Sequence, residues 1–399
     1  MGDLKNKKLI VIGSIALIPL FVMGISAYFY FASQESKTPA KPQTVLGRFS
    51  GTQEPGGTSG GLPGETKTTS DLKPGETFET PSEEKLVRIT DFAVVSPTLS
   101  KNGDMLLFYK KDGGDLYQSS FDGTKQEKLS NITVVGLTQA EWSPARDRAA
   151  VFYLDRETVK GFLHIGTSSV SVLPQDIKTF SWSPDGKSLT YGVVKNGFLE
   201  VTTADAAGKN ARVLFSTPLR DVSLQWITQD KIMLETAPSG MAPGYLFGYS
   251  RSAGTLSKIA GALFGLASLW APDGIHALTM TTDSRGENTA LEVRTNTGAK
   301  TDELAFQTIP EKCVWASAKE LYCAVPQVIP PRSVLPDDYL RGELHTSDSI
   351  IRVNIETHTG ETLFEQSDFD IADIVVAKDG SMLFFVDRTD GTLWGLKLK

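Results

Sequence analysis

One phrase constrains the fold of this chain more than any other: the ten residues WSPDGKSLTY, Trp182 to Tyr191. Pro184 has its φ preset and no N–H to leave unpaired at a loop entry. Asp185-Gly186 is a turn signal, because Gly accepts positive φ and Asp can bond its own backbone. On either side, KTFSW and KSLTY alternate as half-buried strands do. The phrase reads as a β-hairpin with a short loop. Versions of it begin at Leu99, Trp142, Trp226, Trp270 and Trp315, and a seventh at Val376. Subtracting the seven start positions gives gaps of 43, 40, 44, 44, 45 and 61 residues.

A period of about 40–45 residues holding several short strands is the pattern of a propeller blade. Seven anchors imply seven blades. A second strand pair follows the hairpins, as in GDLYQSSFDGTKQEKL (Gly114–Leu129), GFLEVTTADAAGKNARVL (Gly197–Leu214) and GYLFGYSRSAGTLSKI (Gly244–Ile259). Each blade then has four strands, a to d. One blade cannot cover its own two faces, but stacking around an axis lets neighbours bury each other's Trp, Leu, Ile and Phe. The sequence stops at GTLWGLKLK, a third strand without a fourth, while EEKLVRIT (Glu83–Thr90) looks like an outer strand with no blade before it. The expected fold is all-β: a seven-bladed β-propeller of four-stranded blades over residues 85–399. Its N-terminal strand completes the last blade, so the ring closes without a covalent link and leaves no long edge.

WSPDGK followed by an alternating strand resembles the WD40-like repeat of the TolB-type β-propellers, a repeat also used in the propeller of prolyl oligopeptidase-type peptidases. The resemblance covers about residues 85–399, with good matches at Trp142, Trp182 and Trp270 and departures at Leu99, Trp226, Trp315 and Val376. It implies a fold. Such folds host many unrelated functions.

The N-terminal residues have a different character. Leu9 to Ala32 carries no charge, and that length suits a helix crossing about 30 Å of hydrocarbon at about 1.5 Å per residue. Lys5, Lys7 and Lys8 precede the run, and the next basic residue is Lys37. The positive-inside rule then leaves residues 1–8 in the cytoplasm, makes 9–32 a transmembrane signal anchor, and sends the rest outside. A cleaved signal peptide is the rival reading, but its apolar core is usually shorter and ends at an A-x-A-like site. In residues 33–84, Pro, Gly, Ser and Thr make up 29 of 52 positions. So little apolar surface cannot repay ordering the backbone, and a disordered linker is expected. The sequence thus describes a single-pass plasma-membrane protein with an extracytoplasmic propeller, whose partners are the membrane and a protein of the cell envelope.

Net charge is −7, and no Lys/Arg block occurs beyond the extreme N-terminus. Phosphate-backbone binding needs a basic stripe, so nucleic acid is not expected as a partner. Cys313 and Cys323 bracket CVWASAKELYC. If residues 316–320 form the a–b turn, the two sit opposite each other at a Cα separation of about 4.5–5.5 Å, within disulfide range. Two reduced, buried thiols are the alternative. No four-ligand zinc pattern, G-x-S-x-G elbow, P-loop or dinucleotide fingerprint occurs, so no cofactor, metal or catalytic residue is assigned. His164, His276, His345 and His358 lie far apart in sequence and are scattered among the blades. The Asp-Gly pairs at Asp122, Asp185, Asp273, Asp379 and Asp390 lack the alternating oxygen ligands of a calcium loop.

The repeat leaves one stretch unexplained. AVPQVIPPRSVLPDDYLRGELHTS, Ala324 to Ser347, supplies the extra length in the 61-residue gap. It follows strand b and is therefore a b–c loop, on the face shared with the d–a loops around one mouth of the channel. Long ordered loops on a rigid scaffold are disproportionately functional. The candidate binding face is Arg332, Asp337, Asp338 and Tyr339 from this loop, with Arg156, Glu157, Arg285 and Glu287 from other b–c loops. A lid that only adds packing is the alternative. The expected function is a protein- or ligand-binding scaffold of the cell envelope. The other class is an envelope hydrolase or lyase acting on a glycan or peptide at the channel mouth, which would show as titratable groups with perturbed pKa values in one concavity.

Overall fold

The structure, a computed structural model, describes residues 43–44, 85–365 and 368–398. Seven four-stranded antiparallel sheets form the blades of a β-propeller. Blade 3 shows the plan, with strand a at Ile177–Trp182, b at Ser188–Lys195, c at Phe198–Asp205 and d at Arg212–Thr217. The a strands of blades 1, 2, 4, 5, 6 and 7 are Val94–Leu99, Leu137–Trp142, Val222–Trp226, Ala267–Trp270, Cys313–Trp315 and Ile371–Val376. Every one ends on the residue that anchors the repeat in the sequence.

The hairpin turn of blade 3 is held by its own side chains. Ser183 Oγ donates to Asp185 at 2.7 Å, and the same Asp185 oxygen accepts the Lys187 N–H at 3.1 Å. Gly186 sits at φ 67°, where a Cβ would be strained. Asp185 is thereby used up in turn chemistry, and a Ser-to-Asp bond also closes the turns of blades 2 and 1, there to an Asp four positions on, at Ser143–Asp147 and Ser100–Asp104.

Alternation along strand b stitches three blades together. In blade 2, Ala149 and Val151 pack toward blade 1 with Val95, Tyr109 and Leu116, while Ala150 and Phe152 pack toward blade 3 with Phe180, Trp182 and Leu189. Similar clusters join blades 3 to 4, 5 to 6, 6 to 7 and 7 to 1. Each fully buried Leu, Phe or Val contributes roughly 1.5–3 kcal/mol, so most of the stability lies between blades. Indole N–H groups add a directional element. Trp142 donates to Ser96 O at 2.8 Å, Trp182 to Glu141 O at 2.9 Å and Trp315 to Leu269 O at 2.9 Å, each time reaching the a strand of the preceding blade. Trp226 and Trp270 break the series: their indole nitrogens are buried without a partner.

The ring closes as the sequence suggests. Leu86–Arg88 pairs antiparallel with Leu393–Lys397, Leu86 opposite Leu396 and Arg88 opposite Trp394, as the fourth strand of blade 7. Thr90 Oγ1 accepts the Leu393 N–H at 3.0 Å and extends the seam.

The membrane placement is corrected. Among the described residues no helix is long and apolar enough to cross a membrane. Their one α-helix, Asp337–Leu340, has four residues and spans about 6 Å against the roughly 30 Å of a bilayer core. An uncharged run meets only one condition of a span; the other is an unbroken helix that pairs its own backbone in lipid, and no described element provides one. The anchor at residues 9–32 lies outside the described residues, as does the linker apart from Gln43–Thr44, which pairs with Val328–Ile329.

Candidate functional site

The a strands surround the propeller channel, where two adjoining cavities share Gln139, Glu141, Pro144, Ser181 and Trp182. One, of about 770 Å³, is lined by blades 1, 2, 3, 6 and 7; the other, of about 980 Å³, by blades 2 to 5. The first brings together three carboxyls from separate blades, Glu141, Glu311 and Asp373, with Arg146 as its one basic side chain. Glu141 immediately precedes the anchor Trp142 and accepts a bond from Gln139 Nε2 at 3.0 Å. Burial pushes its carboxyl up to about 8. Glu311 lies in the 3-10 turn Pro310–Lys312 that leads into blade 6, and the surrounding protein raises its carboxyl too.

Asp373 sits at φ 48° in a bulge of strand a in blade 7, and Ser96 at φ 51° in the matching bulge of blade 1. Each is three residues before its anchor. A bulge turns a side chain off the regular alternation, and here both residues line the cavity. Burial raises the Asp373 carboxyl, against the opposing pull of the Arg388 charge. Next to the channel, Glu235 of blade 4 is buried and held by Ser268 N at 3.2 Å and by the Ser268 hydroxyl. Its carboxyl is also pushed up to about 8 by burial.

The sequence candidates meet different fates. Asp337 accepts bonds from Ser239 Oγ at 2.9 Å and Gly240 N at 2.6 Å, fastening the long loop to blade 4. Leu335 N reaches Gly286 O of blade 5 at 2.8 Å. Asp338 is taken up within the loop by Val334 N and Arg341. Tyr339 is buried, with the Arg388 guanidinium of blade 7 at 3.9 Å over its ring, and Arg388 also donates to Tyr339 O. Arg285 pairs locally with Asp283 and Glu287. Arg332 is exposed at φ 69°, and Arg156 and Glu157 form the exposed tip of the blade 2 b–c hairpin, away from these bonds. The loop is therefore an ordered cover over blades 4, 5 and 7, and most of its polar candidates hold it down.

Under this cover lies a network that sequence reading missed. Lys312 Nζ is buried and donates to Asp348 at 2.7 Å, Asp370 at 2.7 Å and Ile371 O at 3.0 Å. Asp370 also accepts from Arg388 and Thr346 and meets His345. Cys313 and Cys323 face each other across the neighbouring hairpin as a disulfide, with Cα atoms 4.1 Å apart. A charge on an innermost strand, or in the turn leading into it, is the signal that could have been read. Blade 3 has Ser181 and Thr179 where blade 2 has Glu141 and blade 6 has Lys312.

No protein-family model matches the chain, and no curated protein does. Solved structures share the fold. An oligogalacturonate lyase from Vibrio parahaemolyticus superposes with a TM-score of 0.57 at 10% identity, over 81% of this chain and 96% of that one. Another oligogalacturonate lyase, solved with manganese, gives 0.57 at 12% identity over the same shares. The C-terminal WD40 domain of Sif2 gives 0.50 at 12% identity, over 78% and 98%. TolB from Acinetobacter baumannii gives 0.45 at 13% identity, over 69% and 64%. At these identities the likeness of the two lyases and the Sif2 domain shows a shared fold and no activity. Among the described residues, no group of three His, Cys, Asp or Glu side chains is placed to hold a metal ion. The four histidines pair separately with Tyr109, Asp273, Asp370 and Asp302.

Proposed function

We propose that this chain is a binding module: a rigid disc whose carboxyl-lined channel receives a basic group of a protein partner. The observation that carries the reading is the grouping of Glu141, Glu311 and Asp373 around one cavity with a single guanidinium, Arg146. Burial favours the neutral form of these carboxyls in the empty cavity, and a guanidinium entering among them favours their charged forms and pairs with them. An arginine-rich peptide is a suitable probe. It should bind the parent protein in a salt-sensitive way and lose at least tenfold in affinity with E141Q/E311Q/D373N. Equal binding by parent and triple variant would remove the channel from consideration.

One observation favours a second reading, an enzyme of the hydrolase or lyase class acting on a glycan or peptide. Glu141, raised to about 8, is still protonated near neutral pH and shares its cavity with two further carboxyls, as general acid–base work requires. Turnover of any glycan or peptide that is lost in E141Q would favour catalysis over binding.

A further inference from the structure

The outer strand of blade 2 differs from every other outer strand described. Ser169–Val172 reads SVSV and carries no charge. The others carry Glu127 and Lys128, Arg212, Lys258, Lys300 with Asp302 and Glu303, Glu361, and Arg88. Charged residues on an outer strand are how soluble proteins stop a second chain from adding to the sheet. Blade 2 lacks this protection. Its outer strand pairs on one side only, from Ser169 opposite Ile165 to Val172 opposite Phe162.

Beside this edge runs a groove of about 510 Å³, between blade 2 and the connection from blade 1. Its floor is Phe162, Tyr153 and Val134, and Val170 and Val172 stand along it. Val135 is 81% exposed and Val172 82%, a contiguous apolar surface of the kind that marks an interaction site. Two charged side chains reach the groove, and only one is satisfied. Asp155 is held by Lys160 Nζ at 2.5 Å. Arg156 lines the groove and makes no hydrogen bond or ion pair among the described residues.

We propose that blade 2 binds an extended segment of a partner protein as a fifth strand. Uncharged, alternating β-branched residues of that segment lie along Val170 and Val172, and an acidic side chain pairs with Arg156. Backbone bonds to the open edge supply affinity, alternate side chains in the groove supply selectivity, and the guanidinium–carboxylate pair sets the register. This site is separate from the channel and does not depend on it.

The test uses the full chain and a synthetic peptide, acetyl-Asp-Thr-Val-Thr-Val-Thr-amide. The peptide should slow amide exchange at residues 169–173 and leave strand b of the same blade, Arg148–Asp155, as it was. Arg156→Glu should weaken binding at least tenfold, and a peptide with Lys in place of Asp should recover it. Val172→Lys should abolish binding, with Val135→Lys as the substitute should the former disturb the blade. E141Q should bind the peptide like the parent, which separates this site from the channel. Two results would overturn the proposal: no slowing at 169–173 at the highest soluble peptide concentration, or slowing that R156E and V172K leave unchanged.

Discussion

Blade 3 and blade 6 are built on the same four-stranded plan and hold it by opposite means. In blade 3 the a–b turn is fastened by Ser183 and Asp185, and strands b and c join through Asn196 and Gly197 alone. Its interior against blade 2 is apolar. Blade 6 has no Asp-Gly turn, and its b–c connection is the long loop after Pro326. In exchange it carries a cross-strand disulfide and the buried Lys312 network. The sheet tolerates a long insertion where covalent and ionic fastenings stand in for turn chemistry. Apolar stacking suffices where the repeat is regular.

The largest effect that can break this comparison is at Lys312. Lys312→Met leaves Asp348 and Asp370 buried beside one another without their shared cation, and breaking such a set typically costs about 3–5 kcal/mol. Asp185→Ala in blade 3 removes only an exposed turn anchor and should cost about 1 kcal/mol. Urea denaturation of the two variants measures the difference. Equal losses would mean that the polar network under the long loop is incidental.

A second contrast depends on pH. Glu235 is buried at the junction of blades 4 and 5, and its carboxyl rises from an ordinary 4.5 to about 8. The folded state therefore holds a proton that the unfolded chain releases. Its contribution to stability is present in full below about 4.5 and is lost as pH rises through about 8. Glu141 acts in the same direction. Glu235→Gln keeps an acceptor for Ser268 and removes the titration. Relative to the parent, the variant should gain melting temperature between pH 5 and pH 9. A parallel pH profile for the two proteins would show that Glu235 does not drive the loss.

Reduction of the disulfide should have a smaller, local effect. The cysteines are separated by ten positions, and closing so short a loop is worth roughly 3 kcal/mol at most in the chain-entropy model. Strand b of blade 6 continues past Cys323 to Pro326, so the bond braces the root of the long loop. Reductant should speed amide exchange in residues 327–347 and leave blade 3 protected. Global unfolding, or no change in those residues, would refute a bracing role.

The architecture was legible because its signals are local and repeated. A Ser-Pro-Asp-Gly turn, an alternating strand and a Trp six positions before Ser188 are each short-range, and seven versions of the phrase, five of them anchored on Trp, fix the blade count. Ring closure was legible as well, since an orphan strand at one end and a missing strand at the other can only complement each other. The channel site was not. Glu141, Glu311 and Asp373 are far apart in sequence and meet only because the a strands converge. Lys312 was hidden for a related reason: its partners Asp348 and Asp370 lie beyond an insertion whose path no repeat dictates. The location read from the uncharged run at residues 9–32 finds no support among the described residues, where no helix is long and apolar enough to cross a membrane.

The subtlest test asks whether the repeated tryptophan matters as a ring or as a hydrogen-bond donor. Trp182 and Trp226 end the a strands of adjacent blades, and both are buried to a similar extent, 7% and 6% exposed. Trp182 donates to Glu141 O, whereas the Trp226 indole nitrogen has no partner and its ring instead carries the Arg251 guanidinium at 4.6 Å. Phe in place of either keeps most of the apolar area and removes the N–H. At Trp182 this leaves a part-buried carbonyl without the indole donor and loses a bond between blades, a change of about 1 kcal/mol. At Trp226 it removes a donor that was already unsatisfied, so the lost area and the relieved polar group oppose one another and the net change should be near zero. Thermal melts of Trp182→Phe and Trp226→Phe resolve a difference of that size. Equal destabilisation would show that the indole serves both blades by its bulk alone, and that the bond from Trp182 to blade 2 adds nothing measurable to the ring.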